Sequence, residues 1–343
     1  MNRWVQVCAR LLCLLLATSF VGLLPTGEAQ TSITLVATGS SLPEPLYVAW
    51  GDAYHAQHPE TQLRYLPEGT GESARKILAG VGDLGGGDAP IPENDVKSAA
   101  VLELPTVLIG IAVVYNLPNT PGDLQFSGPV LADIFLGKTK AWNDPAIAKL
   151  NPAMKLPAQP IQVVHRADGK GANYILSDFL SKVSPEFLTK AGRGESPKWP
   201  IGISAARSQD MADKVRATSW SIGYTESNLA QMASLRMARI KNPAGEFVLP
   251  TTKSIAAAAL GAKMRDDFRV SLTNAPGMNS YPVASFTWLY IPAKSKNPER
   301  GRAVADYLNW VYAEGQGIAQ ERGYATLSHE LLTKVIASVA GVR

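Results

Sequence analysis

Residues 165–173, His-Arg-Ala-Asp-Gly-Lys-Gly-Ala-Asn, form the connection on which the predicted fold depends. They lie between an apolar segment at 161–164, typical of a buried strand, and a segment at 174–180 with the apolar spacing of a helix. Arg166 offers a planar fork of donors that Asp168 can hold in place, and the glycines let backbone N–H groups approach an anion. The stretch predicts an oxyanion site, although a glycine-rich turn with a surface ion pair would use the same residues.

Two further loops have the same position between a strand and a helix. The loop Thr38-Gly-Ser-Ser-Leu-Pro43 follows a β-rich segment at 33–37 and precedes a helical pattern. The loop Gly69-Thr-Gly-Glu-Ser73 follows a strand at 63–66 and precedes a helix at 74–79. Because the first N–H groups of a helix have no partner within the helix, three such loops can surround one anion with donors.

The segment at 83–90, Asp-Leu-Gly-Gly-Gly-Asp-Ala-Pro, is predicted to be a loop whose glycines allow close backbone approach and which presents Asp88. Long apolar runs at 104–116 and 284–292 predict buried strands, the first of them one strand or two end to end. Helical spacing recurs at 130–136, 144–150, 208–216, 302–313 and 331–339. Alternating strands and helices predict an α/β fold with mostly parallel sheets, in which ligands bind beyond the carboxyl ends of the strands.

The first 29 residues predict a secretory signal peptide. Arg3 and Arg10 are followed by an apolar run at 11–24 and by small residues at Gly27-Glu-Ala29. The run is shorter than the roughly 20 residues of a spanning helix, so we expect an exported, soluble mature chain. Both cysteines lie inside this segment, which leaves the mature chain without a thiol or a disulfide.

The composition of the chain argues against a nucleic-acid partner and does not by itself identify a ligand. Loss of two arginines and one glutamate with the signal segment changes the formal charge from +4 to +3. The remaining basic residues form no blocks, so we expect no nucleic acid to bind. The mature length favours two domains.

Catalytic and metal-binding interpretations are weaker. The sequence has no Gly-x-x-x-x-Gly-Lys-Ser/Thr loop, and residues 39–43 lack the closing glycine of a nucleophile elbow. Asp52, His55 and His58 share one side of a helix, but with no further ligand near them a solvated helix face is the favoured interpretation. We therefore expect no enzyme activity, no metal and no cofactor.

Several segments together resemble the periplasmic phosphate-binding proteins of high-affinity bacterial phosphate ABC transporters. The resemblance runs from about Leu35 to Tyr324. It rests on Pro43-Glu-Pro-Leu-Tyr47, residues 85–90, Phe135-Leu-Gly-Lys138 with Trp142, residues 147–152, Arg166-Ala-Asp-Gly169, residues 198–202 and Ile222-Gly-Tyr224.

The resemblance implies a two-lobed periplasmic binding protein of type II, with two crossing strands as the hinge. The crossings would fall near Tyr115 and Pro282. Lobe I would comprise residues 30–115 and 283–343, and lobe II residues 116–282. Phosphate would lie in the cleft between the lobes.

Carried over position by position, the family's ligand contacts fall on the three loops and on Asp88. The implied contacts are the Ser41 hydroxyl, the Leu42 N–H, Thr70, Asp88, Arg166, Asp168 and Gly171, with Lys170 and Ala172 beside them. Physically, the carboxylate of Asp88 only accepts hydrogen bonds, so it would favour an oxyanion that still carries a proton and reject sulfate.

The loop at 170–172 departs from the family pattern. Lys-Gly-Ala replaces the usual Ser-Gly-Thr, so one hydroxyl is lost and another is replaced by a cation. Lys170 either points at the ligand, which we favour slightly, or pairs with Glu72 across the cleft as a latch.

Two functions are compatible with these residues. The first is a periplasmic receptor, expected to be monomeric, that captures phosphate or arsenate and delivers it to a membrane ABC permease. The second is a secreted relative whose altered pocket binds another oxyanion or a phosphorylated compound, or which acts as a surface sensing or interaction protein.

Overall fold

The computed structural model describes residues 32–167 and 169–342. The predicted signal peptide, with both cysteines, and Asp168 lie outside the described residues. The helices of the described ranges are α1 Glu44–Gln57, α2 Thr70–Leu78, α3 Glu93–Ala99, α4 Gly128–Phe135, α5 Pro145–Leu150, α6 Gly171–Val183, α7 Pro185–Lys190, α8 Ser208–Ala217, α9 Ser227–Met232, α10 Thr252–Leu260, α11 Pro298–Ala313, α12 Gly315–Glu321 and α13 His329–Val339. The strands are β1 Ile33–Thr38, β2 Thr61–Leu66, β3 Leu84–Gly87, β4 Val101–Asn116, β5 Gln125–Phe126, β6 Gln162–Arg166, β7 Ile203–Ala205, β8 Ser221–Glu226, β9 Arg236–Met237, β10 Arg239–Lys241, β11 Phe247–Val248 and β12 Ala284–Pro292.

Most strands of the described ranges form one large sheet. Its order is β2-β1-β3-β12-β4-β8-β6-β7, with β9 also paired to β4, and a smaller sheet has the order β11-β10-β5. Pairing is parallel within β2-β1-β3 and within β8-β6-β7. The central strands β12 and β4 run antiparallel to their neighbours. The prediction of mostly parallel sheets is therefore wrong for the centre of the large sheet, where β12 and β4 are antiparallel to each other and to their neighbours.

Strand β4 links the two halves of this sheet. Its residues 101–110 pair with β12, and residues 111–116 pair with β8. The predicted apolar run is thus one continuous strand of 16 residues, buried along almost its whole length. We call β1, β2, β3 and β12 the first half of the sheet, and β6, β7 and β8 the second half.

The glycine-rich segment before Asp88 corrects one prediction, because residues 84–87 are strand β3 and not a loop. A Cβ on Gly87 would overlap the Tyr290 hydroxyl of β12, and one on Gly85 would lie 2.6 Å from Ile77 Cγ1. The glycines give room to bulky neighbours on both faces of the strand. This packing places Asp88 directly after a buried strand.

The helices that follow the predicted anion loops begin earlier than expected. Helix α2 begins at Thr70 instead of residue 74, and α6 begins at Gly171 instead of residue 174. Thr70, Gly171 and Ala172, three of the residues predicted to contact an anion, therefore belong to first helical turns, where backbone N–H groups have no intrahelical partner.

Among the described residues, no helix has both the length and the apolar character needed to cross a membrane.

Candidate functional site

Arg166 is the last residue of β6, and its side chain is fully buried. Its Nη1 donates to Ser208 Oγ (3.0 Å), and its Nη2 donates to Ser41 Oγ (3.2 Å) and to the Ala206 carbonyl (3.3 Å). Its Nε is buried with no hydrogen-bond partner among the described residues. Burial lowers the pKa of the Arg166 guanidinium, which nevertheless stays charged because arginine is such a weak acid.

The backbone around Arg166 is fixed by neighbouring elements. Its N–H donates to the Tyr224 hydroxyl of β8 (2.9 Å), and that hydroxyl donates to Asn173 Oδ1. Asn173, in the first turn of α6, donates from Nδ2 to the Ala167 carbonyl (2.7 Å). Strand β8 and helix α6 therefore hold the chain on both sides of the guanidinium.

Asp88 is fully buried on the opposite side of the site. Its Oδ2 accepts a hydrogen bond from Thr70 Oγ1 (3.4 Å), while its Oδ1 has no partner among the described residues. Burial raises the pKa of Asp88 to about 6, against the opposing effects of nearby hydroxyls and of Arg166. An orphan acceptor thus lies in the same site as the orphan donor of Arg166.

The first turn of α6 packs directly against Asp88. A Cβ on Gly171 would overlap Asp88 Oδ2 and lie 2.7 Å from Thr70 Oγ1. Ala172, the next residue, is fully buried. The N-termini of α2 and α6 therefore meet at the carboxyl of Asp88, and their partial positive charge favours an anion there.

The first predicted loop contributes in part. The Ser41 hydroxyl lies 3.2 Å from the Ser208 hydroxyl and accepts from Arg166, so it joins the two halves of the sheet. The Leu42 N–H is directed to Ser40 Oγ (3.1 Å) and is used within its own turn. Its role as a ligand contact stays a prediction, as does that of Asp168 outside the described residues.

Lys170 reaches across to the loop before α2, but not to the partner that the latch hypothesis names. Its Nζ donates to the Glu68 carbonyl oxygen (3.2 Å). The Glu72 carboxylate instead pairs with Arg75 on its own helix, Nε to Oε2 2.8 Å. The proposed Lys170–Glu72 pair is therefore wrong for this conformation, because Arg75 lies three residues along the same helix and reaches Glu72 first.

Several residues of the site escaped the sequence analysis. Ser208, the first residue of α8, contacts Arg166, and its neighbour Arg207 pairs with Glu44 across the halves (2.9 Å). Glu195, from the loop between α7 and β7, lies against Gly71. The short polar start of α8 was a usable signal for Ser208, since it repeats the pattern of a strand followed by a helix N-terminus. Glu195 belongs to a loop with no such pattern.

His55 in α1 and His58 just after it have structural contacts. His55 Nδ1 lies 2.9 Å from the Thr61 carbonyl oxygen, and His58 stacks on Tyr54 with ring centroids 4.3 Å apart. These contacts tie the end of α1 to β2 and to its own preceding turn.

Known proteins are similar to this chain in sequence, and others are similar to it in fold. The phosphate-binding protein PstS of Pasteurella multocida is 38% identical over 327 residues, which cover 94% of this chain and 94% of that protein. PstS of Xylella fastidiosa is 34% identical, covering 91% of this chain and 86% of that protein. The structure of a high-affinity periplasmic phosphate-binding protein named PfluDING, with phosphate bound, has a TM-score of 0.71 at 18% identity, covering 89% and 94% of the two chains.

The sheet in two halves and the relatives named as phosphate-binding proteins define the class of the chain as a two-lobed substrate-binding protein. Residues 24–314 match the family model described as PBP superfamily domain. The chain belongs to this superfamily and, within it, to the PstS family of phosphate-binding proteins.

Proposed function

We propose that this chain is the substrate-binding protein of a phosphate ABC transporter. It captures inorganic phosphate between its two lobes and delivers it to the membrane permease. Beside the family, the proposal rests on one observation: a buried donor, Arg166 Nε, and a buried acceptor, Asp88 Oδ1, both lack partners among the described residues. An oxyanion that still carries a proton satisfies both atoms, since it accepts through its oxygens and donates through its hydroxyl.

The buried acceptor of Asp88 also makes the site selective among oxyanions. Phosphate and arsenate carry at least one proton at neutral pH, whereas sulfate carries none. Facing the ionised Asp88, sulfate leaves two acceptors against each other in a dry site, which costs several kcal/mol. We therefore assign arsenate to the same site as phosphate and exclude sulfate near neutral pH.

The lobes divide where the sheet changes partners. Lobe I comprises residues 30–115 and 283–343, and lobe II residues 116–282. Strand β4 exchanges β12 for β8 after Gly110, and at this position the Ile111 N–H donates to the Val283 carbonyl (2.9 Å). The two proposed crossings, in β4 and just before β12, thus lie next to each other, as a hinge requires. Strand β4 begins to pair with the second half of the sheet at Ile111, before the proposed boundary at residue 115.

Phosphate contacts come from both lobes in this proposal. The contacting residues are Ser41, Leu42, Thr70, Asp88, Arg166, Asp168, Lys170, Gly171 and Ala172. Leu42 becomes a contact only if its N–H leaves Ser40 Oγ on binding. The chain acts in the periplasm as a monomer after removal of its signal peptide.

The loop at 170–172 favours one alternative ligand. Ala172 has no hydroxyl, and Lys170 brings a cation to the edge of the site, where it bonds to the Glu68 carbonyl. A phosphorylated compound whose ester group leaves the site past Lys170 is the second candidate.

A thermal-shift panel of the mature chain tests the proposal. Phosphate at 100 times its dissociation constant adds about 2.7 kcal/mol of stability, a rise of a few degrees in Tm. Phosphate and arsenate should stabilise the chain, and sulfate and phosphate monoesters should not. Stabilisation by monoesters alone would favour the second candidate, and no shift with any oxyanion would reject both.

A further inference from the structure

Glu195 is bound to the anion loop although it lies far from it in sequence. Its carbonyl oxygen accepts hydrogen bonds from the Lys170 N–H (3.3 Å) and from Asn173 Nδ2 (2.9 Å). The hydroxyl of its neighbour Ser196 accepts from the Gly169 N–H (2.9 Å). The loop that carries Glu195 is therefore hydrogen-bonded directly to the loop that follows Arg166.

The Glu195 carboxyl reaches the opposite lobe. A Cβ on Gly71, in the first turn of α2, would overlap its Oε2. The side chain is half-buried there, next to Thr70, one of the proposed phosphate contacts. A side chain at position 71 would therefore displace this carboxyl from the place it occupies when the lobes are in contact.

Three cations of the neighbouring segments have partners other than Glu195. Lys170 Nζ donates to the Glu68 carbonyl, Arg75 pairs with Glu72, and Arg193 Nε lies 2.8 Å from Asp178 Oδ1. Among the described residues, no Lys, Arg or His nitrogen lies within 4.0 Å of the Glu195 carboxylate.

The titratable groups that face Glu195 are acidic. Asp88 lies in the same site and adds to the electrostatic cost of a charge on this carboxyl, while Tyr290 on β12 stays neutral because burial raises its pKa well above the usual value. Burial is the main cause that raises the pKa of Glu195 to about 7, and Asp88 raises it further. An arriving phosphate brings more negative charge and opposes the ionised carboxylate more strongly.

Resting on the proposed function, we propose that Glu195 is a further member of the phosphate site, whose carboxylate takes up one proton from solvent when phosphate binds. In the bound state its neutral carboxyl donates an O–H, the kind of donor that is lost at Ala172. Because binding and protonation are linked, phosphate affinity falls as pH rises above about 7, by up to tenfold per pH unit from this group.

Calorimetry with inorganic phosphate at pH 8, in two buffers of different ionisation enthalpy, counts the protons taken up. Phosphate itself can bind a proton, so the readout is the difference between wild type and Glu195→Gln, whose amide is always neutral. We expect Glu195→Gln to take up about one proton fewer and to keep its affinity between pH 7 and pH 9. Glu246→Gln, on an exposed turn, should behave as wild type.

The outcomes separate this inference from the proposed function. Equal proton uptake by wild type and Glu195→Gln would overturn the role of Glu195, and so would loss of phosphate binding in a folded Glu195→Gln. In either case phosphate binding by the wild type, and with it the proposed function, would still stand. Failure of the wild type to bind phosphate would overturn both. If Glu195→Gln does not fold, Glu195→Ser gives the same readout.

Discussion

Arg166 and Asp88 are both fully buried, and each keeps one polar atom without a partner among the described residues. Burying such groups unpaired is costly, so their pairing with a ligand returns free energy to the bound state. The donor and the acceptor also fix what that ligand must carry: oxygens on one side and a proton on the other. In the proposed function, affinity and selectivity therefore both depend on these two residues.

Replacing Arg166 with lysine tests the guanidinium. Arg166→Lys keeps the charge but loses the planar fork that donates to Ser208 and Ser41 and, in the proposed function, to the ligand. We expect phosphate affinity measured by calorimetry to fall by about 1–3 kcal/mol, the range of hydrogen bonds to charged groups. Arg216→Lys, at an exposed ion pair, is the matched control. Wild-type affinity in Arg166→Lys would place the anion elsewhere.

The sequence predicts a residue of the site where that residue lies in or beside a glycine-rich or small polar loop that follows a strand. Thr70, Asp88 and Arg166 were singled out from the sequence, and the structure brings them together. Ser208 and Glu195 were not singled out, because they reach the site from loops distant in sequence. The use of the Leu42 N–H by Ser40 depends on a rotamer, which no sequence pattern shows.

At the scale of elements, the site is an arrangement of first helical turns around the ends of buried strands. Helices α2 and α6 come from opposite sides and meet at Asp88, with Gly171 as the residue of closest approach. The strand and helix pattern predicted this arrangement, since parallel strands end at one edge of a sheet. It did not predict β3 as a strand, because its glycines adapt to Tyr290 and Ile77, which are remote in sequence.

Gly171→Ala tests the close approach of α6. The added methyl group would overlap the Asp88 carboxylate, although alanine itself suits the start of a helix. We expect at least about a hundredfold loss of phosphate affinity, which is about 2.7 kcal/mol, with little change in the unfolding temperature of the free protein. Gly317→Ala in α12, where an added Cβ meets nothing within 4 Å, should bind normally. Unchanged affinity in Gly171→Ala would contradict the observed packing.

Lys170 is expected to act independently of Glu72. Lys170→Ser removes the contact to the Glu68 carbonyl and should weaken phosphate binding severalfold. Glu72→Gln breaks only the exposed pair with Arg75 and should leave affinity unchanged. Calorimetry of the double variant should match Lys170→Ser alone. A double-mutant cycle with a coupling energy above about 0.5 kcal/mol would restore the latch hypothesis.

At the scale of the whole molecule, buried carboxyls set the response to pH. Burial raises the pKa of Asp88 to about 6, and raises those of Glu103 and Glu195 to about 7 each. Between pH 5 and pH 8 the folded chain therefore binds more protons than the unfolded chain. These carboxyls contribute their full stability at a pH below their pKa values in the unfolded chain. That stability is lost as the pH rises through their pKa values in the folded chain. Two lysines lower the pKa of Glu186 to about 2, so this carboxyl affects the pH dependence of stability only below pH 5.

The ligand-free chain should accordingly unfold at a lower temperature at pH 8 than at pH 5, by at least about 2 °C in a thermal scan. Glu103→Gln should flatten this dependence, because its amide oxygen still accepts from the Ile91 N–H but carries no charge to desolvate. Glu246→Gln should leave it unchanged. A melting temperature that rises from pH 5 to pH 8 would show that these carboxyls are not the dominant titrating groups.

The two-lobed architecture was predicted from the resemblance and from the length of the chain, and the alternation of strands and helices alone gave only the α/β class. The antiparallel pairing of β4 and β12 was not predicted, because a run of buried apolar residues does not show whether the strand is parallel or antiparallel to its neighbours. Strand direction depends on how the chain passes between the halves, which is a property of the whole fold.

The most direct test of the account is calorimetry of the mature chain with phosphate and with sulfate at pH 8, where Asp88 is ionised. We expect phosphate to bind at least about a hundredfold more tightly than sulfate, a difference of about 2.7 kcal/mol. Asp88→Asn, whose amide also donates, should narrow that difference. Equal affinity for the two anions would contradict the central claim that the orphan acceptor of Asp88 selects a protonated oxyanion.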